Sequence, residues 1–186
     1  MIRNDEIEFA KLYLEHKSAV YTYLMYTVLD KAWVDDLSQE VFVLAWKKNI
    51  LKTVPNEAHK AWLLRTATNM ARNWERSRRI RDRVIAGSLD DQNSHVTDEP
   101  SDPMRVEDYV QDKLDAEITY RLLSEVSVMY RRCLVLHIIY GYDRSEVAEI
   151  VGLKPKSVSQ YIARGRAQLT EAYYQHRATT VLTPSL

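Results

Sequence analysis

The chain has 186 residues, with 26 lysines and arginines balanced by 26 aspartates and glutamates, so its formal net charge is zero. That length suits one domain or two small ones, and four glycines and five prolines among plentiful Leu, Ala, Glu, Lys and Arg favour helix over sheet. A single cysteine excludes an internal disulfide, and no apolar run approaches the ~18 residues of a membrane-spanning helix.

The N-terminus Met1-Ile2-Arg3-Asn4-Asp5-Glu6 has no apolar signal core, so a cytoplasmic protein is expected. Helical periodicity runs from about Glu6 to Arg83, with breaks at Leu29-Asp30-Lys31 and at Lys52-Thr53-Val54-Pro55, and predicts an N-terminal helical bundle. Within it, Val34, Leu37, Val41, Leu44 and Ala45 form a core stripe. The opposite side carries Asp36, Gln39, Glu40 and Lys47 around Val43 and Trp46. An aromatic and an aliphatic inside a polar rim suit a protein interface, although Trp46 packed on a neighbouring helix fits the pattern equally.

A second helix is expected from Asn56, as N-cap, to about Arg81. Leu63, Ala67, Met70 and Trp74 make its core stripe, while Arg65, Asn69, Arg72, Arg76 and Arg79 lie opposite. Solubilising faces usually mix cations with acids, but from Lys60 on Glu75 is the lone acid before Asp82. A nucleic-acid surface is therefore favoured, with arginine for phosphates and asparagine for base edges. His59 and Trp62 are candidates for stacking on unpaired bases, and core packing is the other reading for Trp62.

Charge is sorted along the chain. Lys60 to Arg83 is strongly basic, Asp90 to Glu117 strongly acidic, and Lys154 to Arg166 purely positive. From Gly87 to Pro103 the apolar content is too low to offset the entropy of ordering, which predicts a linker between two domains. Helical pattern returns from about Met104 to Gln175, interrupted at Gly141-Tyr142-Asp143 and at Gly152-Leu153-Lys154-Pro155. Cys133 sits in an apolar run and is expected to be a buried, inert thiol.

Arg144 to Arg164 has helix-turn-helix spacing. Ala148 is small where two helices would cross, Gly152 supplies a positive φ at the turn, and Val158 anchors the core. Pro155 suits the first turn of the second helix. Val158, Tyr161, Ile162, Gly165 and Leu169 share its inner side. Lys156, Ser157, Ser159, Gln160 and Arg164 share the outer side, with hydroxyl, amide and cationic groups fit for a major groove. The bland alternative is a solvated face on a helical hairpin. Catalysis is not expected, since there is no phosphate-binding glycine loop or nucleophile elbow, and His16, His59, His95, His137 and His176 are scattered. No metal or cofactor is expected.

Asp35-Asp36-Leu37-Ser38-Gln39-Glu40-Val41-Phe42-Val43-Leu44-Ala45-Trp46 resembles the core-polymerase-binding helix of the sigma-70 family. Ala61-Trp62-Leu63-Leu64-Arg65-Thr66-Ala67-Thr68-Asn69-Met70-Ala71 resembles its minus-10 recognition helix, and Arg131 through Leu169 its minus-35-reading domain. Their order and spacing resemble the extracytoplasmic-function group. Val126-Ser127-Val128 departs from a usual Leu-Pro, Asn73 from a common acid, and Gly165 from a usual alanine.

The resemblance implies an all-α protein of two small helical domains: a region 2-like domain at 1–85, an acidic linker at 86–112, a region 4-like domain at 113–178 and a frayed tail at 179–186. It implies an alternative sigma factor that binds core RNA polymerase and promoter DNA, with an anti-sigma factor as a further partner. Asp35, Asp36, Gln39, Glu40, Val43 and Trp46 would dock on polymerase. His59, Lys60, Trp62, Arg65, Asn69, Arg72, Asn73, Arg76 and Arg79 would bind the melted minus-10 strand. Lys154, Lys156, Ser157, Ser159, Gln160 and Arg164 would read the minus-35 duplex, and Asp90 to Asp102 would thread a polymerase channel built for nucleic acid. The rival reading from the residues alone is a two-domain repressor or activator, dimeric, with the N-terminal bundle as sensor.

Overall fold

The computed structural model describes residues 4–86 and 110–181, so the expected linker over Gly87–Pro103, the channel-threading segment Asp90–Asp102 and most of the tail lie outside the described residues. The described residues are helical, with no strand among them. In the N-terminal half, α1 (Asn4–Val28), α2 (Lys31–Lys47), the single-turn α3 (Ile50–Thr53), a 3-10 turn (Asn56–Ala58) and α4 (His59–Ala86) form the bundle. The expected break at Leu29 is a sharp reversal, in which that residue takes φ 57. For a leucine this conformation costs ~1–2 kcal/mol, which the packing on either side must offset. A second reversal falls at Asn49, φ 52, where an asparagine side chain tolerates the left-handed region. Asn56 does not cap α4; it opens the 3-10 turn that leads into it.

Core selection follows helical phase. Leu12, Val20, Tyr23 and Leu24 of α1 meet Val34, Leu37, Val41, Phe42 and Ala45 of α2 and Leu63, Leu64, Ala67, Ala71 and Trp74 of α4. Met70 and Leu44, expected in the core, are only half-buried at its margin. Two polar groups enter the bundle fully paired: Tyr23 Oη and Thr68 Oγ1 lie 2.7 Å apart, and the Thr68 hydroxyl also donates to the Leu64 carbonyl at 2.8 Å.

The C-terminal half comprises α5 (Val110–Ser124), α6 (Val128–Leu134), a π-helical turn (Val135–Ile139), α7 (Arg144–Val151) and α8 (Pro155–Val181). Asp143 caps α7 by accepting from the amides of Ser145 and Glu146 at 2.7 and 2.9 Å. Glu146 returns the bond to the Asp143 amide at 2.8 Å, completing a capping box. Gly152 ends α7 at φ 65, and Pro155 begins α8. Val158, Ile162 and Gly165 are buried while Tyr161 and Leu169 are half-buried, so the inner face of α8 is the one its phase predicts. At Gly165 a β-carbon would lie 2.8 Å from Leu134 Cδ1 and 3.1 Å from Tyr130 Cβ, so α8 crosses α6 at a distance that glycine alone permits without adjustment.

The halves share one apolar core, and polar bonds cross between them. Arg131 donates through Nη2 to the Thr27 carbonyl of α1 at 3.1 Å, and Arg132 Nη2 meets Glu75 Oε1 of α4 at 2.7 Å. Arg72 of α4 donates to the Val151 carbonyl at the end of α7, and the Tyr140 hydroxyl donates to the Ala19 carbonyl of α1. Arg131 and Arg132 are 3% and 1% exposed.

Candidate nucleic-acid and polymerase interfaces

The outer side of α4 is a cationic and amide surface. Arg65, Asn69, Asn73, Arg76 and Arg79 are all exposed, and among the described residues no carboxylate pairs with Arg65, Arg76 or Arg79. Glu75, the one acid interrupting the series, is occupied by Arg132. Neighbouring arginines behave differently. Arg78 pairs with Asp30 at 3.0 Å and lies over the Trp74 ring, and Arg81 lies over Trp33. The basic block thus divides into cations that brace the bundle and cations that face solvent.

Two residues of the expected strand-binding set sit elsewhere. His59 is 5% exposed, with its Nε2 facing the Ile50 and Val54 carbonyls at 3.2 and 3.0 Å. A ring so enclosed ties down the loop before α4 and cannot stack on a base, which corrects the expectation. Arg72 is half-buried, its guanidinium engaged by the Val151 carbonyl and lying 3.7 Å from Met129 Sδ. Trp62 is half-buried, and Lys60 places its ammonium 5.2 Å from the Tyr140 ring centroid.

Lys154, in the turn before α8, and Lys156, Gln160 and Arg164 on its outer side are exposed. Ser157 and Ser159 are half-buried, and the Ser159 hydroxyl donates back to the Pro155 carbonyl at 3.2 Å. Arg164 approaches the Tyr130 hydroxyl at 3.4 Å while its side chain stays in solvent. The residues are spaced as a helix set into a groove requires, with cations at the entry and an amide in the middle.

On α2, Asp35, Asp36, Gln39 and Glu40 are exposed, as are Val43 at 51% and Trp46 at 43%. Trp46 makes an edge-on contact with Phe9 at 5.0 Å, which fixes the indole without covering it. An anchored aromatic with an acidic rim has the composition that protein interfaces favour. Sequence reasoning missed an apolar groove in the other half, formed by Leu122, Leu134, Ile138, Ile139 and Leu169, where the π-helical turn leaves both isoleucines exposed. It also missed the burial of Arg131 and Arg132. Cys133 is buried as expected, and burial pushes its thiol up to about 11. No helix among the described residues is long and apolar enough to cross a membrane.

A bundle with an outward arginine-asparagine face, coupled to a helix-turn-helix with a second basic face, defines a DNA-binding protein of the transcription machinery. Family models describe the same two units: Sigma-70 region 2 matches residues 12–81 and Sigma-70, region 4 matches residues 116–169. RNA polymerase sigma factor CnrH of Cupriavidus metallidurans is 31% identical over 141 residues, covering 74% of this chain and 71% of that protein. ECF RNA polymerase sigma factor SigX of Bacillus subtilis is 30% identical over 162 residues, covering 86% and 80%. The sigma factor RpoE from Bartonella quintana, solved with the anti-sigma factor NepR, shares the fold with a TM-score of 0.63 at 19% identity, over 90% of this chain and 97% of that one. The chain belongs to the sigma-70 family of RNA polymerase sigma factors, in its extracytoplasmic-function group.

Proposed function

We propose that this alternative sigma factor divides promoter recognition between its two basic helices and docks on core RNA polymerase through α2. Arg65, Arg76 and Arg79 contact phosphates of the melted minus-10 strand, and Asn69 and Asn73 offer amides to its bases. Lys154, Lys156 and Arg164 hold the minus-35 duplex while Gln160, with Ser157 at the turn, reaches base edges. Asp35, Asp36, Gln39 and Glu40 surround the Val43 and Trp46 anchor that meets polymerase. Residues 1–85 and 113–178 act as the two functional units. The observation that carries this reading is that, among the described residues, no carboxylate pairs with Arg65, Arg76 or Arg79 of α4 or with Lys156 or Arg164 of α8.

The chain performs no catalysis of its own; it directs a polymerase, and it works where that polymerase works, in the cytoplasm. An anti-sigma factor is a further partner, a reading supported by the complex in which the Bartonella relative was solved. Run-off transcription with core polymerase and genomic fragments tests the whole reading. Promoter-specific transcripts that vanish on Trp46→Ala or Arg76→Ala are expected; tight operator binding by the chain alone, with no transcript when polymerase is added, would overturn it.

A further inference from the structure

The first turn of α2 forgoes the features that stabilise a helix start. Asp30 stands at the N-cap but makes no capping bond; its carboxylate is taken by Arg78 at 3.0 Å instead. Lys31 follows in a first turn without acids, where the positive end of the helix disfavours a cation. Trp33, in the same turn, is 39% exposed. A helix shaped for folding alone would spend a carboxylate on its own amides here and keep an indole out of water. Local choices that run against the fold are expected at functional surfaces.

Trp33 is held still on two sides. Its ring centroid lies 6.2 Å from that of Trp74, and the guanidinium of the exposed Arg81 lies 5.8 Å from it. Trp74 in turn carries Arg78 at 5.4 Å, while its own Nε1 is buried with no hydrogen-bond partner among the described residues. A phenylalanine at 74 would leave no donor unpaired, so the indole serves through its ring face, the best of the aromatic faces for a cation.

The place of this cluster on α2 ties it to docking. Trp33 precedes Glu40 by seven residues, which sets the two within about 20° of each other around the axis. It therefore flanks the acidic face on the α4 side, as Trp46 with Phe9 flanks it on the α1 side. The two indoles are ~20 Å apart along the helix, within the ~800 Å² footprint of one partner. Exposed cations accompany each: Lys31 and Arg81 at one end, Lys47 and Lys48 at the other. Among the described residues no carboxylate pairs with any of the four, and Lys31 meets only the Tyr120 ring, 5.4 Å from its ammonium. Asp35, Asp36 and Glu40 lie between, so the face alternates basic, acidic, basic.

We propose that Trp33 and Arg81 form a second anchor for core RNA polymerase, and that the polymerase segment seated on α2 is a helix with basic residues at its centre and acidic residues toward both ends. The inference rests on the assignment of α2 to polymerase docking. A helix of about 13 residues spans the distance between the indoles. Its central cations meet Asp36 and Glu40, and its outer acids meet Arg81 at one end and Lys47 at the other. Tryptophan and arginine are the side chains that anchor interfaces, and a ring already clamped loses little freedom on binding.

Affinity of the full-length chain for core polymerase, measured by fluorescence anisotropy at two salt concentrations, tests the second anchor. Trp33→Ala is expected to weaken binding at least ~tenfold. Arg81→Glu, on an exposed side chain, should weaken it by a similar factor with helix content and melting temperature in place, and Arg81→Ala should lessen the dependence on salt. Should Trp33→Ala lose its helix content, Arg81→Glu alone decides. Wild-type binding by Trp33→Ala and Arg81→Glu, with weak binding by Trp46→Ala, would overturn the second anchor and leave α2 docking in place; wild-type binding by all three would remove both. Intact polymerase binding with lost affinity for a single-stranded minus-10 oligonucleotide would assign the cluster to DNA and likewise overturn the proposal. A photocrosslinking amino acid in place of Trp33 should label a polymerase helix of the stated charge pattern, and label on a segment without flanking acids would refute that pattern.

Discussion

Glu75 Oε1 accepts from Arg132 Nη2 at 2.7 Å, joining α4 to α6 between residues 57 positions apart. The pair takes the only interrupting acid out of the α4 surface and brings a deeply buried guanidinium its counter-charge. Breaking a sealed pair of this kind typically costs ~3–5 kcal/mol. Glu75→Ala is expected to lower stability by ~3–5 kcal/mol, read from the urea midpoint at constant slope.

The division between bracing and solvent-facing arginines is measurable through salt. Each phosphate contact on a single strand contributes ~0.7 to the slope of log affinity against log salt. Arg65→Ala, Arg76→Ala and Arg79→Ala should each reduce the slope of minus-10 strand binding by about that amount. Arg78→Ala, whose guanidinium serves Asp30, should leave the slope in place and lower thermal stability slightly, since an exposed pair contributes ~0–1 kcal/mol. Equal slope changes for Arg78 and Arg76 would refute the partition.

On α8 the amide and the cations should separate by sequence preference. Gln160→Ala is expected to lose ~1–3 kcal/mol against the preferred minus-35 duplex and far less against a scrambled one. Lys156→Ala should weaken both equally. Fluorescence anisotropy on the two duplexes, at one stated salt concentration, decides the point.

Trp46 should matter to a partner more than to the fold. Its edge-on contact with Phe9 supports ~0.5–1.5 kcal/mol of stability. An anchoring aromatic at a protein interface commonly carries ~2 kcal/mol or more. Trp46→Ala is therefore expected to reduce core-polymerase affinity at least ~30-fold while shifting the melting temperature by only a few degrees.

His16 predicts mild acid sensitivity. Burial pulls its imidazole below the ordinary 6.5, Glu15 opposes, and His59 and Lys60 add to the lowering. The folded chain thus binds this proton more weakly than the unfolded chain. The stability that results is present above 6.5 and is lost as pH falls through the folded value. Melting temperature should decline between about pH 7 and about pH 5, and His16→Gln should flatten that decline.

The parts legible in the sequence are those with local causes. Asp143, Gly152 and Pro155 each encode a cap, a left-handed turn or a first helical turn by their own covalent chemistry, so the helix-turn-helix is readable residue by residue. Helical phase likewise places Val158 and Ile162 inside and Gln160 outside. Phase does not tell which cation finds a partner from a distant segment. Arg72 and Arg76 share the expected outer face, yet one reaches across to Val151 and the other faces solvent. His59 follows the same rule: its enclosure depends on the carbonyls of Ile50 and Val54, which a periodicity cannot place. Arg131 and Arg132 would be assigned to a surface by residue type, and only the packing of the two halves buries them.

The missing methyl at Gly165 works as a pivot. About ten residues, or ~15 Å of helix, separate it from the first turn of α8, so any substituent that props the two rods apart there tilts the far end that would enter the groove. Alanine would strengthen the helix itself by ~1 kcal/mol and yet re-aim Gln160. Overpacking against Leu134 typically costs ~1–3 kcal/mol, so alanine at this position should bring no thermal gain and should blur discrimination among promoters.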